Sequence, residues 1–190
     1  LPLGCALYYG EGDAGAFVLT MLVAVAVGAP LWFGFRRARD LSAKDAFVIA
    51  AFGWVVMSAV SGLPFMFHGS IPAFTDAFFE MMSGYTTTGS TILTDVEAVP
   101  HGLLLWRSET HFIGGMGFLT LAVLFLPHGV GGLRIFRAES SPGQVITRER
   151  FLPRNRDALL ALWAIYVVLN LAQIVLLCAG GMSLFDSACH

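Results

Sequence analysis

Charge is scarce in this sequence. Of its 190 residues 13% are charged and 56% are hydrophobic, a charged share about half that usual in soluble domains. A soluble domain of this size could not cover such a surface with polar groups, whereas a lipid-facing surface needs no such cover. Cysteine is nearly absent: Cys5, Cys178 and Cys189 are odd in number and widely scattered, which argues against a disulfide scaffold and offers no redox or metal spacing. No basic stripe interleaved with aromatics is present, so nucleic acid is not an expected partner. His68, His101, His111 and His128 lack the paired spacing around a Glu that a zinc site needs. Ser83 and Ser90 lack a nucleophile elbow and an adjacent base. The N-terminus has neither Met nor a basic signal-peptide region, and the chain reads as cut at both ends.

What the sequence does hold is long apolar runs. A helix needs about 20 apolar residues to cross the hydrocarbon core. Residues 14–35, 46–67 and 158–184 are uncharged and long enough, and each is expected to span. Residues 103–126 are also long enough but contain Arg107, Glu109 and His111. Ionisable groups inside a membrane helix are costly and usually face protein or water, but residues 112–127 are uncharged and strongly apolar, so this run too is expected to span. Arg36, Arg37, Arg39 and Lys44 lie between the first and second runs; Arg134, Arg137, Arg148, Arg150, Arg154 and Arg156 lie between the third and fourth. The stretch between the second and third runs carries no basic residue. By the positive-inside rule, loops 36–45 and 128–157 are cytoplasmic and segment 68–102 is on the outer side.

That outer segment does not read as an ordinary loop. Residues 72–84 predict a short helix with Pro72 near its start, Asp76 in an early turn, Phe74, Ala77, Phe78 and Met81 on one apolar face, and Gly84 able to end it. A helix of about 12 residues is about 18 Å long at 1.5 Å per residue, too short to span, so it enters part-way and returns. Thr86, Thr87, Thr88, Gly89, Ser90 and Thr91 follow. β-Branched threonines disfavour continued helix, and Gly89 is free to take positive φ. Non-helical backbone at membrane depth is tolerated where it is buried in protein or lines a water-filled cavity. There its carbonyl oxygens can replace the hydration shell of a monovalent cation, favoured by the negative end of the short helix. A Thr-rich surface turn is the alternative reading of the same residues.

The run from Asp76 through Thr91 resembles the first pore loop of the TrkH/KtrB potassium transporters. Leu104-Leu105-Trp106-Arg107-Ser108 with Ile113-Gly114-Gly115-Met116-Gly117 resembles their next helix, and residues 129–139 resemble the following cytoplasmic loop. The resemblance covers nearly the whole chain. It implies an all-α polytopic membrane protein built from helix–pore loop–helix repeats of the potassium-channel-like superfamily, four around one pore. Residues 1–44 would then end a leading hairpin. Residues 45–127 would form the first repeat, with membrane helices 46–67 and 103–127, pore helix 72–84 and filter 86–91. Residues 128–156 would be a cytoplasmic basic loop, and 157–190 the first helix of the second repeat with the start of its pore helix. Matched on the family's central glycine, the carbonyls of Thr87, Thr88, Gly89 and Ser90 are the expected potassium ligands. The family usually has Gln where this chain has His111, which is expected to pack neutral; a titratable side chain near the pore wall that adds pH sensitivity is the alternative. The resemblance further implies potassium uptake across a bacterial inner membrane, a homodimer, a cytoplasmic nucleotide-binding regulatory subunit, and no cofactor beyond the transported ion.

Other residues have weighed readings. Arg107 and Glu109 stand two apart on a helix and do not face each other. Arg107 can pair with Glu80 and fix the pore helix, so Glu80, Arg107, Thr86 and Thr91 are candidate supports of the filter; snorkelling of Arg107 to the interface is the alternative. Asp76, Glu80, Asp95 and Glu97 can concentrate cations at an outer mouth. Gly114, Gly115 and Gly117 let a neighbouring helix approach closely. Two other functions stand beside transport: a non-conducting membrane assembly subunit, and an intramembrane enzyme using Glu80, Glu109 or His111. The second lacks paired acid–base groups and metal-ligand spacing.

Overall fold

A computed structural model describes residues 1–35, 43–125 and 155–190. Among them the chain is helical, with eight helices: α1 (Pro2–Tyr9), α2 (Ala14–Phe35), α3 (Ala43–Ser61), α4 (Leu63–His68), α5 (Phe74–Tyr85), α6 (His101–Phe125), α7 (Asn155–Ala179) and α8 (Leu184–Cys189). The cytoplasmic-loop expectations for residues 36–42 and 128–154 fall outside the described residues.

Among the described residues three helical stretches are long and apolar enough to cross a membrane: Ala14–Phe35, Val48–His68 and Leu159–Ala179. At 22 residues, α2 is about 33 Å long at 1.5 Å per residue, enough for a hydrocarbon core of about 30 Å. Only 17% of the apolar window of α2 and none of that of α7 is buried within the chain. Leu22, Val25, Trp32 and Phe33 stand more than half exposed. Apolar surface on this scale has lipid or further membrane protein as its partner, not water. The 25-residue α6, which carries Arg107 and Glu109, is the fourth long helix.

The second span is not one unbroken helix. It divides at Gly62, between α3 and α4. Pro64 has no N–H to continue the ladder, and Gly62 lies so close to α5 that an added Cβ would stand 3.1 Å from the Ala77 carbonyl.

The chain divides into two compact units, residues 1–114 with Cys189 and residues 115–188 with His190. The core of the first unit joins Ala6, Phe17, Phe65, Ile71, Ala77, Met81, Val99 and Leu103. This cluster draws on α1, α2, α4, α5, the segment after α5 and the start of α6, so it anchors the short helix on both sides. Two acids close the start of α6. Glu11 accepts from the His101 N–H at 2.6 Å and from the His101 ring at 2.8 Å. Asp13 is fully buried, and its carboxylate oxygens have no hydrogen-bond partner among the described residues. It sits where a Cβ on Gly102 would be, and the positive end of α6 favours a carboxylate there. In the second unit, Trp163 Nε1 donates to Thr120 Oγ1 at 3.2 Å. Ser183 caps α8, its Oγ accepting from the Asp186 N–H at 3.0 Å.

Candidate ion-coordinating loop

The short helix α5 begins two residues later than Pro72 suggests and runs through Gly84 to Tyr85. Its buried positions are Ala77, Glu80, Met81, Ser83, Gly84 and Tyr85. The inward face therefore differs from the expected Phe74, Ala77, Phe78 and Met81: Phe74 is 51% exposed, and the carboxylate of Glu80 lies inside instead. A helix turns a charged group inward only when that charge is met by donors, and Glu80 is.

Glu80 is completely buried, and its carboxylate is a junction. Arg107 Nε donates to Oε1 at 2.6 Å. Thr91 Oγ1 lies 2.8 Å from Oε1 and 3.0 Å from Oε2, and the backbone N–H of Ile92 donates to Oε2 at 2.9 Å. Thr91 Oγ1 in turn accepts from the Leu93 N–H at 3.0 Å. One carboxylate on α5 thus ties together the segment beyond Gly89 and an arginine of α6. Charge-assisted hydrogen bonds of this kind are roughly twice as strong as neutral ones. Arg107 does not snorkel away, and Glu80 does not contribute to an open acidic mouth. Asp76, Asp95 and Glu97 are exposed, and Asp95 accepts from the N–H groups of Glu97 and Ala98 in its own turn.

The helix ends by a closure that the sequence disguises. Thr87 N–H donates to the Gly84 carbonyl and Thr88 N–H to the Ser83 carbonyl, each at 2.9 Å. These paired bonds form a Schellman closure, whose left-handed residue is usually Gly. Here it is Thr87, at φ 52°. A β-branched residue at positive φ is an outlier, costing about 1–3 kcal/mol and persisting where its surroundings over-determine it. Gly84 does not end the helix. Its missing side chain serves contact instead, since a Cβ there would overlap Thr110 Oγ1.

Beyond the closure, Gly89 is again left-handed at φ 77°, while Thr88 and Ser90 keep negative φ. In an evenly extended strand successive backbone groups point to opposite sides. Alternating positive with negative φ departs from that pattern and can turn groups of one kind toward one side. Residues 86–92 are exposed, and among the described residues the carbonyls of Thr87, Thr88 and Gly89 accept no hydrogen bond. The Ser90 carbonyl differs from the other three. It accepts from Ser83 Oγ at 2.6 Å, so this oxygen is engaged by α5. Thr86 Oγ1 donates to the Met82 carbonyl at 2.8 Å and pairs at 2.8 Å with Thr88 Oγ1. Since the Thr86 proton is directed to Met82, Thr88 is the donor in that pair. The loop can therefore offer three unpaired carbonyl oxygens to a cation, held at both ends by hydrogen bonds to α5.

Several supporting groups were not legible from motifs. The Ser61 and Tyr85 hydroxyls meet at 2.8 Å, and Trp106 Nε1 donates to the Ser61 carbonyl at 3.0 Å. The Trp54 ring lies against Tyr85 at 5.7 Å between centroids. Ser83, a residue of the short helix with no motif of its own, holds Ser90. His111 Nδ1 lies 3.1 Å from the Arg107 carbonyl, an acceptor, so Nδ1 carries the hydrogen. Glu80 thus holds α5, α6 and the loop together, whereas His111 is engaged within α6 itself; no group of three or more His, Cys, Asp or Glu among the described residues could hold a metal ion.

Long apolar helices flanking a short helix, a strained turn and a row of open carbonyls define an all-α multi-pass membrane protein. Residues 14–183 match the family described as TrkH, cation transport protein, and the chain belongs to that family. The Trk system potassium uptake protein TrkH of Salmonella typhimurium is 41% identical over 193 residues, which cover 100% of this chain and 40% of the relative. The Trk system potassium uptake protein TrkG of Escherichia coli is 35% identical over 192 residues, covering 100% of this chain and 39% of the relative. The crystal structure of the potassium transporter TrkH from Vibrio parahaemolyticus superposes with a TM-score of 0.79 at 35% identity, covering 100% of this chain and 37% of that one. The chain thus spans about two fifths of the length of the relatives it matches.

Proposed function

We propose that this chain supplies the first of four pore loops in a potassium-uptake protein of the bacterial inner membrane. In this reading residues 45–127 are one helix–pore loop–helix repeat. Residues 1–44 end a leading hairpin, and residues 157–190 open the next repeat. The basic loops face the cytoplasm and segment 68–102 faces outward, as the positive-inside rule requires. Thr87, Thr88 and Gly89 coordinate the ion through their carbonyls, and Ser90 does so to the extent that Ser83 releases it. No covalent step is needed: the carbonyls replace the ion's water, and the remaining loops complete the ring. A homodimer on a cytoplasmic nucleotide-binding regulatory subunit completes the assembly.

One observation carries this reading. Thr87 and Gly89, both at positive φ, alternate with neighbours of negative φ and leave adjacent carbonyls unpaired, while Glu80 and Ser83 fix the far end of the loop. A mere surface turn has no need of a strained threonine and a fully buried carboxylate. The test is rubidium uptake by the full-length protein in a potassium-requiring strain with sodium in competition. Gly89→Ala places a side chain where φ is positive, and the preference for potassium over sodium is expected to fall. An unchanged preference would refute the assignment of the filter.

A further inference from the structure

The end of α5 that carries the loop is set on α6 by two contacts in which a glycine makes room. On α5, a Cβ at Gly84 would overlap Thr110 Oγ1 and stand 3.0 Å from Thr110 Cβ. Thr110 is fully buried, and its hydroxyl is directed to the Arg107 carbonyl at 2.6 Å, so it cannot swing aside without losing that bond. On α6, a Cβ at Gly114 would overlap the Tyr85 carbonyl oxygen and stand 2.7 Å from Tyr85 C and 2.8 Å from Tyr85 Cα. That obstacle is backbone, and only a shift of α5 could relieve it. Thr110 and Gly114 are four residues apart and share one face of α6. They meet consecutive residues of α5, so the two contacts act on a single point.

From that point the path to the ion ligands is short. The Gly84 carbonyl holds the Thr87 N–H, and the Ser83 carbonyl holds the Thr88 N–H. Beyond Gly89 the loop is tied at Ser90 to Ser83 and, at Thr91 and Ile92, to Glu80, one to two turns earlier on the same helix. Lifting Gly84 and Tyr85 away from α6 would move the near end of the loop relative to that tie and turn the Thr87 and Thr88 carbonyls. Selection between ions of different radius depends on the arrangement of those oxygens.

We infer that Gly84 and Gly114 are positioning residues for ion selection: they touch no ion, but set the depth at which α5 seats on α6 and hence the direction of the filter carbonyls. This inference rests on the filter assignment proposed above.

The experiment compares Gly84→Ala, Gly84→Ala with Thr110→Gly, Gly114→Ala, Gly115→Ala and Gly89→Ala in the full-length protein, reading abundance in the membrane, maximal uptake at saturating rubidium, and the rubidium-to-sodium preference. Gly115 is the control on the same helix, because its Cβ would meet only the far end of the Tyr166 side chain, 2.6 Å from the hydroxyl. Gly84→Ala and Gly114→Ala are expected to lower the preference about tenfold, equivalent to about 1.4 kcal/mol of differential binding, with maximal uptake retained. Thr110→Gly is expected to restore it in the Gly84→Ala background, and Gly115→Ala to leave it unchanged. Should Gly84→Ala not accumulate, recovery of both abundance and preference with Thr110→Gly supports the contact, and failure to recover either overturns it. Wild-type preference in an abundant Gly84→Ala protein also overturns it. If Gly89→Ala lowers the preference while Gly84→Ala does not, this inference alone fails. If Gly89→Ala itself is without effect, the filter assignment fails with it.

Discussion

Replacing Glu80 by Gln removes the one charge that joins α5, α6 and the loop beyond Gly89. The carboxylate now accepts from Arg107, Thr91 and Ile92 through both oxygens. A Gln amide has a single acceptor oxygen, and its NH2 would face a donor wherever it points. Removing one partner of a buried ion pair costs about 3–5 kcal/mol, mostly because the other charge is left without compensation. The Arg107 side chain is 18% exposed, which lets some water reach it and places the expected loss near 3 kcal/mol, the lower end of that range. Arg107→Met leaves the buried carboxylate with only neutral donors and is expected to cost a similar amount. The double variant removes both charges together, so its loss is expected to fall short of the sum of the single losses by about 2 kcal/mol. The assay is thermal unfolding of the full-length protein in detergent, with rubidium and sodium uptake measured in parallel. Single losses that add to the double loss within about 0.5 kcal/mol would show that the pair is not coupled and that Glu80 does not hold the loop through Arg107.

Thr87→Gly relieves a left-handed β-branched residue and is expected to gain about 1 kcal/mol of stability; a lower unfolding temperature would contradict the strained closure. Ser83→Ala removes the 2.6 Å bond to the Ser90 carbonyl, costs about 1 kcal/mol and is expected to change the half-saturating potassium concentration. An unchanged value would place the Ser90 carbonyl off the ion path. The Glu11 carboxyl is held below its ordinary value of 4.5, first by the His101 backbone N–H. A folded value lowered in this way contributes stability above the unfolded value, and the contribution is lost as pH falls through the folded one. Glu11→Gln is therefore expected to lower the melting temperature above pH 4.5 and to converge with the parent only as pH falls through the lowered folded value. Curves that differ equally at every pH would refute the linkage.

Much of this architecture was legible because the bilayer imposes a length. The uncharged run 14–35 coincides with α2, since it holds no charged residue and is bounded by Asp13 and Arg36. The second span was read as continuous because its apolar run is unbroken; Pro64 and the close approach of Gly62 to Ala77 divide it, and that approach is a tertiary fact. The inward face of α5 was misjudged for a related reason. Apolar spacing favours Phe74, but the arginine partner outweighs hydrophobicity for Glu80. That pairing is legible as one of two readings of Arg107, because Glu109, two residues along the helix, does not face it. The closure at Thr87 was hidden, since propensity assigns left-handed backbone to glycine and the nearest candidate, Gly84, is used for contact with Thr110. Ser83, Ser61 and Tyr85 carried no motif at all, because their roles depend on which neighbours the fold brings near.

The central claim is that peptide oxygens of residues 87–89 hold a dehydrated monovalent cation. Anomalous diffraction from crystals of the full-length protein soaked in thallous or rubidium salt tests it without recourse to variants. The account predicts a peak on the pore axis within coordination distance of the Thr87, Thr88 and Gly89 carbonyls, diminished by potassium and little affected by sodium. Ions bound only elsewhere, with this loop lying on the outer surface away from any axis, would contradict it.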